Sequence, residues 1–303
     1  MADVPNPANR GGLIKVRDGL KLHVTHWPAP SSDARPVLCL PGLTRNARDF
    51  NDIATALSSG PDAREVFALD ARGRGLSDHD PDWRNYSIPT ETQDVIDVMA
   101  ALGLHDAAIL GTSRGGLVSM VLAAIQPGLI GSVVLNDIGP VIERDGLLRI
   151  AGYVGRTPVP TSWADATRMV GDVSRQAFPA VPDTAWPQVA RAWFNDKDGR
   201  PVSGYDTNLG RTFSATDAAP PALWAQFGAL RHASVLVVRG ETSDLLSAET
   251  VRLMQARHPD CASHVVKGQG HAPLLMDQPT IGVIKKFFQT SDARRPVAGV
   301  RVQ

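Results

Sequence analysis

Three side chains in this sequence could do chemistry together: a serine between small residues, an aspartate beyond one apolar run and a histidine beyond the next. The serine is Ser113, in Gly111-Thr112-Ser113-Arg114-Gly115, with the apolar run Ala107 to Leu110 before it and the nearly all-apolar helical stretch Arg114 to Gln126 after it. In a G-x-S-x-G turn the small residues let a strand bend sharply into a helix, which leaves the hydroxyl exposed on a strained elbow. A serine hydroxyl is a poor nucleophile until a base removes its proton, so an acid and then a histidine are expected downstream. His271 follows the run Ser263 to Val266 in Gly268-Gln269-Gly270-His271-Ala272-Pro273, a glycine-rich setting that allows a tight loop back to the serine. Several of the seven other histidines lie in turns or polar flanks, and none of the seven has this glycine-rich setting after a strand. Asp244 follows Val235 to Val238 in Arg239-Gly240-Glu241-Thr242-Ser243-Asp244 and is the acid expected to orient the imidazole. Asp137, after Ser132 to Leu135, and Glu241 are the alternatives to it.

Nucleophilic attack on a carbonyl also needs preorganised donors for the developing oxyanion. One is expected from the backbone amide of Arg114, at a helix N-terminus that favours negative charge. The other is expected from Leu43, in Pro41-Gly42-Leu43-Thr44 after the run Val37 to Leu40. The Arg114 side chain could contact a substrate carboxylate, or it could pair with an acid such as Asp137 or Glu143. Asp70 to Ser77 and the following Asp78-His79-Asp80 read as a structural loop and a solvated turn, with neither a phosphate nor a metal site expected.

Positioning these residues requires strands that end at one edge. Val37 to Leu40, Glu65 to Leu69, Ala107 to Leu110, Ser132 to Leu135, Ser234 to Val238 and Ser263 to Val266 are mostly apolar on both faces, as strands between two helix layers must be. Leu13 to Val16 and Leu20 to Trp27, joined at Asp18-Gly19, predict an antiparallel hairpin. Thr90-Glu91-Thr92-Gln93 reads as a capping box, Gly103 as a helix stop, and Ser247 as the cap of a helix through Ala256. Strands alternating with helices predict an α/β fold, a mostly parallel sheet with helices on both faces. From 140 to 221 that rhythm stops: there is no clear strand, and Tyr153, Trp163, Phe178, Trp186, Trp193, Phe194, Tyr205 and Phe213 supply apolar area to bury. This stretch is expected to be an inserted helical cap on a core of 13–139 and 222–290, with flexible termini at 1–12 and 291–303.

The chain has 303 residues, 43% hydrophobic and 20% charged, with 31 Lys plus Arg against 31 Asp plus Glu. The zero balance argues against an extended nucleic-acid surface or a polybasic membrane patch. Gly115 to Asn136 is uncharged, but Gln126-Pro127-Gly128 divides it into a helix and a strand. The first residues lack the basic and apolar regions of a signal peptide, so a cytoplasmic protein without membrane attachment is expected. Cys39 and Cys261 cannot build a disulfide framework and are expected to be interior residues.

In order, Leu40-Pro41-Gly42-Leu43, Asp70-Ala71-Arg72-Gly73-Arg74-Gly75-Leu76-Ser77, Gly111-Thr112-Ser113-Arg114-Gly115-Gly116, Asp137-Ile138-Gly139-Pro140, Arg239 to Asp244 and Gly270-His271 resemble the α/β-hydrolases, in particular cap-bearing esterases and lactonases. The resemblance runs from about Leu13 to about Phe288, and Pro41 departs from it where many members carry His. It implies a Ser113, Asp244 and His271 triad, an oxyanion hole of the Leu43 and Arg114 amides, no cofactor, and a small, fairly apolar ester or lactone as substrate. Carbon–carbon cleavage of a vinylogous diketone by the same triad is the alternative, and a non-catalytic ligand-binding protein is a second. Haloalkane dehalogenases and epoxide hydrolases are disfavoured, because they place Asp where Ser113 stands. The sequence leaves the oligomeric state unread.

Overall fold

The structure, a computed structural model, describes residues 10–29, 33–213 and 221–294. The elements in chain order are β1 (Arg10–Lys15), β2 (Lys21–Trp27), β3 (Val37–Leu40), α1 (Asn51–Leu57), β4 (Val66–Leu69), α2 (Ile88–Leu102), β5 (Ala107–Thr112), α3 (Arg114–Ile125) and β6 (Ile130–Asn136). Then follow α4 (Arg144–Tyr153), α5 (Trp163–Ser174), α6 (Trp186–Trp193), β7 (Asn195–Lys197), β8 (Arg200–Val202), α7 (Trp224–Gly228), β9 (Ser234–Gly240), α8 (Ala248–Arg257), β10 (Cys261–Val266) and α9 (Gln278–Ala293). Eight strands form one sheet in the order β1-β2-β4-β3-β5-β6-β9-β10. β1 and β2 form the antiparallel hairpin, and β3, β4, β5, β6, β9 and β10 run parallel.

Alternate residues of the central strands feed two separate cores. Leu38, Ile109, Val133 and Val235 face Val98 of α2, Met120 of α3, Phe227 of α7 and Met254 of α8. Val37, Cys39, Leu110, Val134 and Leu236 face Ile53 of α1 and Ile284 and Phe288 of α9. Burial on both faces explains the unbroken apolar runs, each fully buried Val, Leu or Ile contributing about 1.5–3 kcal/mol. Cys39 is buried within β3, and burial raises both thiols, that of Cys261 to about 12, so neither is poised as a thiolate at neutral pH.

Local signals were met in most places and displaced in three. Gly103 ends α2 in the left-handed conformation at φ 66°, and the Ser247 side chain caps α8. The cap of α2, however, is Ser87, which accepts from the Thr90 amide. Pro89, pre-set for a first helical turn and lacking an N–H, starts the helix one turn before the expected capping box. The insert carries a short hairpin, β7–β8, that its lack of apolar alternation concealed. Its signal is Asp198-Gly199, both at positive φ (53° and 78°), the pair that a two-residue turn favours. At the termini, 10–12 fall within β1 and 291–293 within α9, where Ser291 is buried; the remainder of both expected tails, apart from Arg294, lies outside the described residues.

Between β6 and β9, α5 and α6 bury a small cluster of their own, including Ala166, Val170, Trp186, Val189 and Phe194. It sits over the carboxyl ends of the strands, where Leu274 and Met276 of the core pack against it.

Candidate active site

Register brings the loops after four strands together. Leu40 pairs with Gly111, Thr112 with Asn136, and Asn136 with Val238, so β3, β5, β6 and β9 end side by side. The next residues in three of those chains are Pro41, Ser113 and Asp137.

Ser113 sits between β5 and α3 at φ 51°, ψ −114°, a conformation costly for any residue with a Cβ. The elbow is held because Ser113 donates its amide to the Asn136 carbonyl (2.9 Å) and α3 lies close against the sheet. A Cβ on Gly111 would come within 2.7 Å of the Gly115 carbonyl oxygen, and one on Gly115 would overlap the Leu40 carbonyl. Gly115→Ala is therefore expected to destabilise the fold by about 3 kcal/mol, the upper end for forced overpacking. A lower urea midpoint at unchanged slope measures this; an unchanged midpoint refutes the close approach.

His271 Nε2 lies 2.9 Å from Ser113 Oγ, and its Nδ1 lies 2.8 Å from Asp137 Oδ2. A carboxylate at Nδ1 selects the tautomer with the proton there, which leaves Nε2 free to accept the serine proton. Asp137 is fully buried, and its charge is met by three donors: the Gly240 amide (2.7 Å), the Ser243 hydroxyl (2.6 Å) and the imidazole. The loop that bears His271 is pinned in turn by Asn136, whose side-chain amide donates to the Pro273 carbonyl (3.0 Å).

Asp244 does not hold His271, which corrects the expectation from the sequence. Arg149 of α4 donates to both its carboxylate oxygens, Nε at 2.5 Å and Nη2 at 2.8 Å, and so keeps the carboxyl below its usual range. The physical reason is the turn after β9. Gly240 and Ser243 both direct their donors to Asp137, which follows β6 directly, while Asp244 is carried past the imidazole toward the insert. Glu241 is likewise elsewhere, accepting from the Gly268 amide (2.8 Å).

For Arg114 the structure shows the ion-pair alternative, with a different acid. The guanidinium turns from the substrate side and donates to Glu91 (Nε–Oε2 2.7 Å, Nη2–Oε1 3.1 Å) and to the Tyr86 carbonyl (2.9 Å). The partner is thus neither Asp137 nor Glu143 but a buried acid that the sequence presented as part of a helix cap. The Arg114 amide opens α3, where no intrahelical acceptor exists. Gly42 passes so near the elbow that a Cβ on it would lie 3.7 Å from Ser113 Cβ, which brings the Leu43 backbone alongside the nucleophile.

In the segment 70–80, Ser77 and Asp80 are buried rather than part of a solvated turn, which corrects that expectation. Buried Arg72 joins Asp80 (2.5 Å), Asp94 (2.6 Å) and Asp18 (2.8 Å), and Asp70 accepts from the Ala47 and Leu76 amides.

Ser113 and His271 line a cavity of about 1190 Å³ together with Gly42 and Leu43. Tyr153, Trp163, Phe178, Trp193, Phe194 and Tyr205 of the insert supply aromatic wall, whereas Trp186 serves the insert's own cluster and Phe213 packs on the main core.

A serine elbow, a buried aspartate and a strand-edge histidine on a doubly covered parallel sheet define a class of enzymes, the α/β hydrolases. The chain belongs to the alpha/beta hydrolase family, whose model matches residues 37–285, and it is a hydrolase. Among individual proteins it is 33% identical to a 3-hydroxybutyrate-oligomer hydrolase of Cupriavidus necator, over 86% of this chain and 90% of that one. It is 28% identical to a 2-(acetamidomethylene)succinate hydrolase of Mesorhizobium japonicum, over 76% and 79%. An α/β hydrolase from Novosphingobium aromaticivorans superimposes with a TM-score of 0.86 at 36% identity, over 93% of this chain and 98% of that one. Among the described residues, no helix is long and apolar enough to cross a membrane.

Proposed function

We propose that this enzyme hydrolyses carboxylic esters through a Ser113 acyl-enzyme and that its substrates are short oligoesters of hydroxyalkanoic acids. The observation that carries the chemistry is the unbroken hydrogen-bond series Asp137–His271–Ser113 opening into one cavity. Ser113 attacks the ester carbonyl as His271 Nε2 takes its proton, and Asp137 stabilises the imidazolium. The Leu43 and Arg114 amides receive the oxyanion. His271 then gives the proton to the leaving alcohol, and water activated by the same imidazole releases the acid. The insert 140–221 acts as a cap that selects the substrate.

The size of the cavity supports an extended substrate, since about 300–1,000 Å³ serves most small ligands. The relative of similar length that acts on 3-hydroxybutyrate oligomers supports the same class and favours ester over carbon–carbon cleavage. Acid release from linear 3-hydroxybutyrate dimer, trimer and tetramer should be compared with p-nitrophenyl esters, a lactone and one ring-fission diketone. We expect kcat/KM to rise about tenfold from dimer to tetramer as more apolar surface is buried. Cleavage of the diketone with no release from the oligomers would overturn this reading.

A further inference from the structure

Glu91 lies away from the reacting atoms, yet it joins the two segments that carry the oxyanion donors. It is buried in the first turn of α2, at 4% exposure, between two guanidinium groups. Its Oε1 accepts from Arg74 Nη1 (2.7 Å) and its Oε2 from Arg114 Nε (2.7 Å). Arg74, fully enclosed in the loop after β4, is oriented a second time by the Arg72 carbonyl (2.6 Å) and donates from Nε to the carbonyl of Leu43 (2.8 Å). Arg114 directly follows the nucleophile. One carboxylate therefore fixes the Leu43 backbone through Arg74, and the elbow through Arg114.

We infer that Glu91 is a positioning residue for the oxyanion hole, acting through Arg74 on the Leu43 peptide and through Arg114 on the nucleophile turn. The inference rests on the ester-hydrolase reading above. Burial pushes the Glu91 carboxyl up, but Arg114 and Arg74 outweigh it and hold it below the usual carboxylate range, so the carboxylate is ionised at neutral pH. A neutral amide at 91 would turn one N–H donor against a guanidinium, and the Leu43 carbonyl would lose its fixed partner.

The test is Glu91→Gln, with Arg74→Lys beside it in case the first variant fails to fold; lysine keeps the charge and loses the Nε donor to Leu43. Each is measured for kcat, KM and inhibition by a trifluoromethyl ketone ester analogue, which becomes an oxyanion on Ser113, and by a carboxylic acid product, which does not. A displaced oxyanion donor costs about 10²-fold or more, so kcat is expected to fall about 100-fold with KM within about threefold. The ketone should weaken in parallel with kcat/KM, while product inhibition stays unchanged. A purely structural role would weaken both inhibitors together or leave the ketone within about threefold, and either result in a folded variant overturns the inference. Wild type that the ketone fails to inhibit overturns the ester reading itself, and the inference with it.

Discussion

Ser113→Ala is expected to lower ester turnover by about 10⁴- to 10⁶-fold while leaving the fold and product binding intact, since loss of a triad nucleophile removes the acyl-enzyme route altogether. The elbow makes the variant conservative. The hydroxyl contributes to no capping bond in α3, and the Ser113 amide still reaches Asn136. Alanine keeps the Cβ and carries the same strained φ, so the urea midpoint should barely move. Steady-state hydrolysis of the preferred oligomer, with wild type diluted to the same rate as a contamination control, measures the loss. Residual activity above about one hundredth of wild type would show that another group carries the attack.

The second large effect separates two aspartates. Asp137→Asn is expected to lower kcat by about 10³- to 10⁴-fold, because an amide can donate to Nδ1 and stabilise the wrong imidazole tautomer. Asp244→Asn is expected to cost less than about tenfold, the range of a half-exposed ion pair and its local packing. What it loses is the Arg149 contact between α4 and the loop after β9, so the effect should fall mainly on KM. The paired comparison of kcat at neutral pH decides it. A severe loss at 244 with an active Asp137→Asn enzyme would reverse the assignment.

These two residues also mark where the sequence was legible and where it was not. The central strands were readable because residues facing opposite cores, such as Val133 and Val134 of β6, are both apolar. The nucleophile was readable because a sharp turn against a buried helix demands Gly111 and Gly115 in addition to the serine. His271 stood out because only it combined a glycine-rich loop with a preceding strand. The acid was not readable in the same way. Asp137 and Asp244 both follow strands, and the choice depends on which receives the donors of Gly240 and Ser243, a matter of how β9 turns beside β6. One signal did favour Asp137: it lies in the apolar Val-Val-Leu-Asn-Asp-Ile, where a buried charge needs strong partners. Arg114 and Glu91 were opaque for a related reason. Twenty-three positions separate them, and only the packing of α2 against α3 makes them a pair. The β7–β8 hairpin was missed because short polar strands lack apolar alternation, although Asp198-Gly199 was there to be read.

The central claim is that His271, held by Asp137, makes the hydroxyl of Ser113 the nucleophile of this enzyme. Peptide mapping by mass spectrometry after exposure to a fluorophosphonate tests it most directly. The account predicts one adduct, on the peptide bearing Ser113, in wild type and in Asp244→Asn, strongly slowed in Asp137→Asn and absent from Ser113→Ala. An adduct on a different residue, or equal labelling of wild type and Ser113→Ala, would contradict it.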